Sequence, residues 1–159
     1  DADTALAEIA QWGDPQLAWL EDPLLPEDAA GCARIRRESG LAVSVGDEVT
    51  DPAVLRALIE HEAVDVLRLD VVAIGGVTPA RELITWATER GVPVSGHVYP
   101  EVTAHLGIGV ETFARGVNPY DPAPSFIVGG PSFDGRVRPT DAVGLGFTLD
   151  PAVFHFERD

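Results

Sequence analysis

Lysine is absent from this chain of 159 residues, and all eleven basic residues are arginine. Acidic residues number 26, which sets the formal net charge at −15. So negative a chain is excluded as a partner of nucleic acid or of an anionic membrane surface, since both are polyanions. Its charge fits a soluble protein whose carboxylates hold a metal ion. There is one cysteine, Cys32, so an intrachain disulfide is excluded. Cys32 reads as a small buried hydrophobe. No apolar run approaches the roughly 18 residues of a membrane-spanning helix. The start, Asp1-Ala2-Asp3, has neither a basic region nor an apolar one, so no signal peptide is expected and the location expected is cytoplasmic. An initiator methionine is also missing, and the chain is therefore expected to be a piece of a longer polypeptide.

The length suits one domain that buries about 70% of its unfolded surface. Short apolar runs alternate with helical patterns. The runs are Leu17–Leu20, Leu41–Val45, Val64–Leu69, Val92–Ser95 and Ile108–Val110. Four to six apolar residues flanked by Gly or Pro read as buried parallel strands. Between them, Asp51-Pro52 and Thr78-Pro79 each look like an N-cap followed by proline in the first turn. Leu55, Leu58 and Ile59, with Val54, form one apolar helical face; Ala80, Leu83, Ile84 and Ala87 form another. Gly40 and Gly91 stand where helices end. The order β-α-β-α-β-α-β predicts a parallel sheet with right-handed crossovers. Residues 132–159 read as irregular chain, with Gly144-Leu145-Gly146 as a turn. Phe147, Leu149, Val153, Phe154 and Phe156 are candidate packing residues there. Trp12, Trp19 and Trp86 read as core or helix-packing residues, and His61 and His155 as surface residues.

Glu21, Asp47, Asp70, His97 and Glu111 each end an apolar run. Most are spaced by about one β-α unit, roughly 25 to 30 residues. In a closed (β/α) barrel all strand C-termini point to one rim, so these residues would converge. Four carboxylates cannot share a pocket unpaired, and a divalent cation removes the problem. Carboxylate oxygens suit Mg²⁺. A phosphate-binding barrel is poorly supported, because Gly75-Gly76 comes without a lysine-bearing phosphate loop.

These residues carry a family resemblance. Trp19-Leu20-Glu21-Asp22-Pro23-Leu24, Val45-Gly46-Asp47-Glu48, Leu69-Asp70 through Gly75-Gly76-Val77-Thr78, Ser95-Gly96-His97 and Ala104-His105-Leu106 resemble the enolase superfamily, in its mandelate racemase subgroup. The resemblance implies a partial (β/α) TIM-type barrel, from the end of strand three to strand eight. Residues 1–113 would form it, and 114–159 a tail packing on the barrel or on an absent capping domain. It implies Asp1, Glu21 and Asp47 as Mg²⁺ ligands, and Asp70 and His97 as a dyad. Glu111, or else Asp121 with Asn118 nearby, would be the eighth-strand acid. Asp3 and Tyr99 would face the substrate, and His105 would pack behind the site. Relatives with a lysine base at the position of Asp70 are set apart, since this chain has no lysine.

The activity implied is Mg²⁺-dependent removal of a proton α to a carboxylate. Dehydration of an acid sugar comes first. Racemisation of a 2-hydroxy acid is the alternative, and it would need a second base. Another is an inactive piece lacking the upstream Lys-x-Lys and capping domain. The partner expected is a small carboxylate substrate, with homo-oligomers expected at full length. Five strands leave open edges and half a barrel interior. The 159-residue chain on its own is therefore expected not to fold stably, and a cooperative thermal transition of that isolated chain would overturn this.

Overall fold

The computed structural model describes residues 1–108, 110, 126–133, 137–138 and 140–153. Helix α1 (Ala2–Ile9) is followed by alternating strands and helices: β1 (Leu20–Glu21), α2 (Ala29–Ser39), β2 (Val43–Val45), α3 (Pro52–Glu60), β3 (Val66–Asp70), α4 (Val77–Glu89), β4 (Val94–His97) and α5 (Pro100–Leu106). These four strands form one parallel sheet in the order β1-β2-β3-β4. Each strand thus lies beside its predecessor, as consecutive β-α units require.

Local chemistry sets the helix ends. Asp51 caps α3 by accepting from Ala53 N at 2.8 Å, and Pro52 occupies the first turn. Asp28 caps α2 through Gly31 N, and Gly40 closes that helix at φ 71°. The expected cap at Thr78 is displaced. Helix α4 begins at Val77, and its N-cap, Gly76, makes no side-chain cap bond. The turn after β3 is closed instead by Gly76 N donating to Val71 O at 2.8 Å.

The period-2 alternation of strands divides the sheet into two faces. Val43, Val45, Leu67, Leu69 and Val94 share one parity and belong to the buried core, with Leu55, Leu58, Leu83 and Ile84 from the helices. Cys32 belongs there too, fully buried. Ser44, Arg68, Asp70, Ser95 and His97 share the other parity. The fold therefore stacks apolar strand residues under its helices and turns polar strand residues the opposite way.

Further expectations differ from the structure. Ile108 lies in the turn after α5 and Val110 belongs to no strand; Gly109 is outside the described residues. Ile108 N donates to His105 O and Val110 N to Gly107 O, so these backbone donors are used locally rather than in a ladder. The tail carries two short antiparallel pairs, β5 (Ile127–Gly129) with β8 (Phe147–Leu149), and β6 (Ser132–Phe133) with β7 (Val137–Arg138). The turn at residues 144–146 leads into β8. Phe147 is half-buried, whereas Leu149 and Val153 are exposed, and Phe154 and Phe156 lie outside the described residues. Trp12 is also exposed. Trp86 packs at the α4 surface, with the Arg90 guanidinium 3.9 Å and that of Arg56 5.7 Å from its ring centre.

Leu67 is fully buried in the second strand from the β4 edge. Leu67→Ala should cost about 2–5 kcal/mol by removing packed methyl groups and leaving a cavity. In urea unfolding of the intact protein the midpoint should fall with the slope unchanged.

Candidate metal and proton-transfer site

Glu21 ends β1, Asp47 lies just past β2, Asp70 ends β3 and His97 ends β4. Beyond three of them the backbone turns into the left-handed region: φ is 46° at Asp22, 55° at Glu48 and 40° at Val98. That conformation costs a residue with a Cβ, most of all a β-branched one. Gly46, at φ 137°, completes the turn after β2, where an added Cβ would overlap the carbonyl oxygen of Arg68.

Glu21, Asp22 and Asp47 form an acidic cluster, each offering a carboxylate oxygen within 4.8 Å of the others. Trp19 Nε1 donates to Glu21 Oε2 at 2.7 Å, and Gly46 N donates to Asp22 Oδ1 at 3.3 Å. Burial pushes the Asp22 carboxyl above its ordinary range. Burial likewise pushes Asp47 up to about 6, with Arg68 and His97 pulling it down and Asp22 and Glu21 adding to the rise. An all-oxygen, all-anionic donor set is the chemistry that a hard divalent cation such as Mg²⁺ needs. The residues present fit that ion.

His97 lies between two carboxylates. Its Nε2 is 3.4 Å from Asp47 Oδ2 and its Nδ1 is 3.5 Å from Asp70 Oδ2. Asp70 and His97 are directly paired in the β3–β4 register. Asp70 is immobilised from its other oxygen, since Oδ1 accepts from Val72 N at 2.7 Å and Ala73 N at 3.0 Å. One ring nitrogen thus faces a fixed carboxylate and the other faces the acidic cluster. The Nδ1 contact is longer than a formed hydrogen bond, as is common before substrate tightens a site.

Arg68, in the middle of β3, is only 2% exposed. Its Nε lies 3.1 Å from Asp47 Oδ1 and 3.5 Å from Glu21 Oε1. Its Nη1 donates to Ser95 Oγ at 2.8 Å and to Gly96 O at 3.1 Å. One guanidinium therefore links β4 to the carboxylates at the ends of β1 and β2.

The structure brings together Glu21, Asp47, Asp70 and His97. Asp1 is not in the acidic cluster; it caps α1, with Oδ1 accepting from Thr4 N at 2.9 Å. Asp3 is exposed and ion-paired with Arg34 of α2 at 2.7 Å. Local helix capping and a helix–helix ion pair hold these two. Tyr99 stands at the start of α5 with φ 44°, partly exposed. His105 Nε2 lies 3.1 Å from Leu145 O. Glu111, Asn118 and Asp121 fall outside the described residues. Neither Asp22, the third carboxylate of the cluster, nor Arg68, which contacts the other two, is among the site residues expected from the sequence. The alternation Leu67-Arg68-Leu69-Asp70 was the available signal for the second.

A parallel β-α sheet with acids and a histidine at its strand ends defines a (β/α)-barrel piece of the kind that holds a metal at its rim. Residues 1–153 match the family model described as enolase C-terminal domain-like. The chain belongs to that family. A D-galactonate dehydratase family member from Salmonella enteritidis PT4 is 30% identical over 149 residues, covering 86% of this chain and 35% of the relative. A solved enolase from Pantoea ananatis with bound D-gluconate and Mg is 25% identical with a TM-score of 0.83, covering 96% of this chain and 39% of that one. L-talarate/galactarate dehydratase from Salmonella typhimurium LT2 gives 25% identity and a TM-score of 0.80, covering 96% and 38%. The chain spans about a third of the length of the curated relatives it matches.

The raised Asp47 carboxyl has a consequence for stability. A carboxyl whose pKa is higher folded than unfolded binds more protons in the native state, so stability falls as pH rises through that window. For Asp47 the window runs from the ordinary 3.8 to about 6. Asp47→Asn should remove this component of the fall, read from urea unfolding of the intact protein in EDTA across those pH values.

Proposed function

We propose that this chain supplies the metal-binding and proton-transfer groups of a Mg²⁺-dependent enzyme that removes the proton α to a carboxylate, in the dehydration of an acid sugar. The observation that carries it is the placement of His97, between the fixed carboxylate of Asp70 and the acidic cluster. Related structures hold gluconate or glucarate together with Mg, which supports the substrate class. A racemase from Streptomyces coelicolor with bound magnesium shares the fold as well, at a TM-score of 0.63. Among the described residues no helix is long and apolar enough to cross a membrane.

Glu21 and Asp47, with Asp22, would hold the ion. Mg²⁺, when bound, supplies positive charge that offsets the charge developing on the substrate carboxylate as the α-proton leaves. Neutral His97 takes that proton on the ring nitrogen facing the cluster. Asp70 keeps the other nitrogen protonated and stabilises the imidazolium. The imidazolium then returns its proton to the departing 3-hydroxyl, so the net loss is water and the histidine is restored. Glu111 and Tyr99 would contact the substrate.

His97→Asn in the intact protein should lower exchange of the substrate α-proton in deuterated water by about 10²–10⁴-fold, the usual worth of a positioned base. Mg²⁺ affinity, followed by Trp19 fluorescence, should change little. Unchanged exchange removes His97 from the base role, and recovery of an epimer in place of a dehydrated product decides for racemisation.

A further inference from the structure

Burying an arginine beneath a set of carboxylates destined for a cation is at first sight counterproductive, because the guanidinium repels the ion that the carboxylates attract. The guanidinium also cannot be neutralised, since it keeps its proton at any working pH. Its contacts reach Asp47 and Glu21, two of the three cluster members. Asp70 contributes no oxygen to the cluster and faces the far nitrogen of His97. Counted by formal charge, three carboxylates and one guanidinium leave two units of negative charge.

We propose that Arg68 is a positioning residue that also sets the charge of the Glu21–Asp22–Asp47 cluster, so that it selects a divalent over a trivalent cation. This rests on the metal-binding reading above. A strand tie alone would act differently. Loosening the carboxylates lowers affinity for every cation together. A fixed charge acts in proportion to valence, so removing it favours a trivalent ion over a divalent one.

The test compares Tb³⁺ and Mg²⁺ binding in the intact protein. The Trp19 indole, hydrogen-bonded to Glu21, is placed to sensitise Tb³⁺ luminescence, and Mg²⁺ is read by its displacement of Tb³⁺ and by calorimetry. Arg68→Gln should raise the Tb³⁺:Mg²⁺ affinity ratio at least tenfold, while Arg68→Lys stays within about threefold of wild type. Asp22→Asn shifts the charge the other way and should lower the ratio at least tenfold, with the amide oxygen still able to accept from Gly46 N. If Arg68→Gln does not fold, Arg68→Met is read in its place with the same expectation, and an unmoved ratio in Asp22→Asn overturns the proposal. Affinities that fall in parallel, with the ratio unmoved, overturn the proposal and leave the metal reading standing. Failure of wild type to bind either ion overturns both.

Discussion

The rim conforms to the burial of the Arg68 guanidinium in a parallel strand. A buried charge is tolerated only when its donors find acceptors and its charge finds a partner. Arg68 takes a hydroxyl and a carbonyl from β4 and carboxylates from the ends of β1 and β2. The backbone here constrains its neighbours as well. Position 46 has no room for a Cβ against the Arg68 carbonyl, and position 95 supplies a hydroxyl where an aliphatic residue would strand the donor. Gly96 leaves the space in which Thr103 of α5 packs, 2.9 Å from where a Cβ would stand. A single ion therefore couples strands whose carboxylates are far apart in sequence.

The sheet separates stability from chemistry by parity. Residues of one parity lie in the core with the helices; residues of the other, Val66 at the start of β3 apart, carry charge, hydroxyl or imidazole. Burial of the first set is what holds the second set still. Asp70 shows the economy of this arrangement. It completes the turn after β3 with one oxygen and presents the other to His97, so the turn's own hydrogen bonds orient the dyad.

Much of this was legible before any coordinates. The β-α alternation could be read because Asp51-Pro52 and Gly40 punctuate helices by mechanisms that act locally. Strand-end acids stood out because each follows an apolar run, and the Asp70–His97 pairing follows once β3 and β4 are neighbours in register. Other features depend on long-range geometry. Asp22 reads as a loop residue until its positive φ brings its carboxylate beside Asp47. Arg68 reads as a structural residue just before the end of its strand, and its contacts with Glu21, Asp47 and Ser95 exist only once the neighbouring strands are in place. Asp1 resembles a ligand by motif, yet its side chain serves the helix that starts beside it. The short tail strands span two or three residues each, too few for any periodicity to register.

The left-handed residues at the rim bear on how the molecule opens. Asp22, Glu48 and Val98 hold conformations that an isolated peptide would abandon, so their surroundings restrain them. Letting go of such a turn returns stored strain, while parting the strands beneath exposes packed aliphatic surface. Opening therefore begins at the rim. Amide protons of the turns should exchange with solvent well before those of the sheet, through excursions that leave the scaffold closed. A ligand that bridges the strand ends would suppress those excursions first, and so quieten the part of the protein it contacts without stiffening the rest.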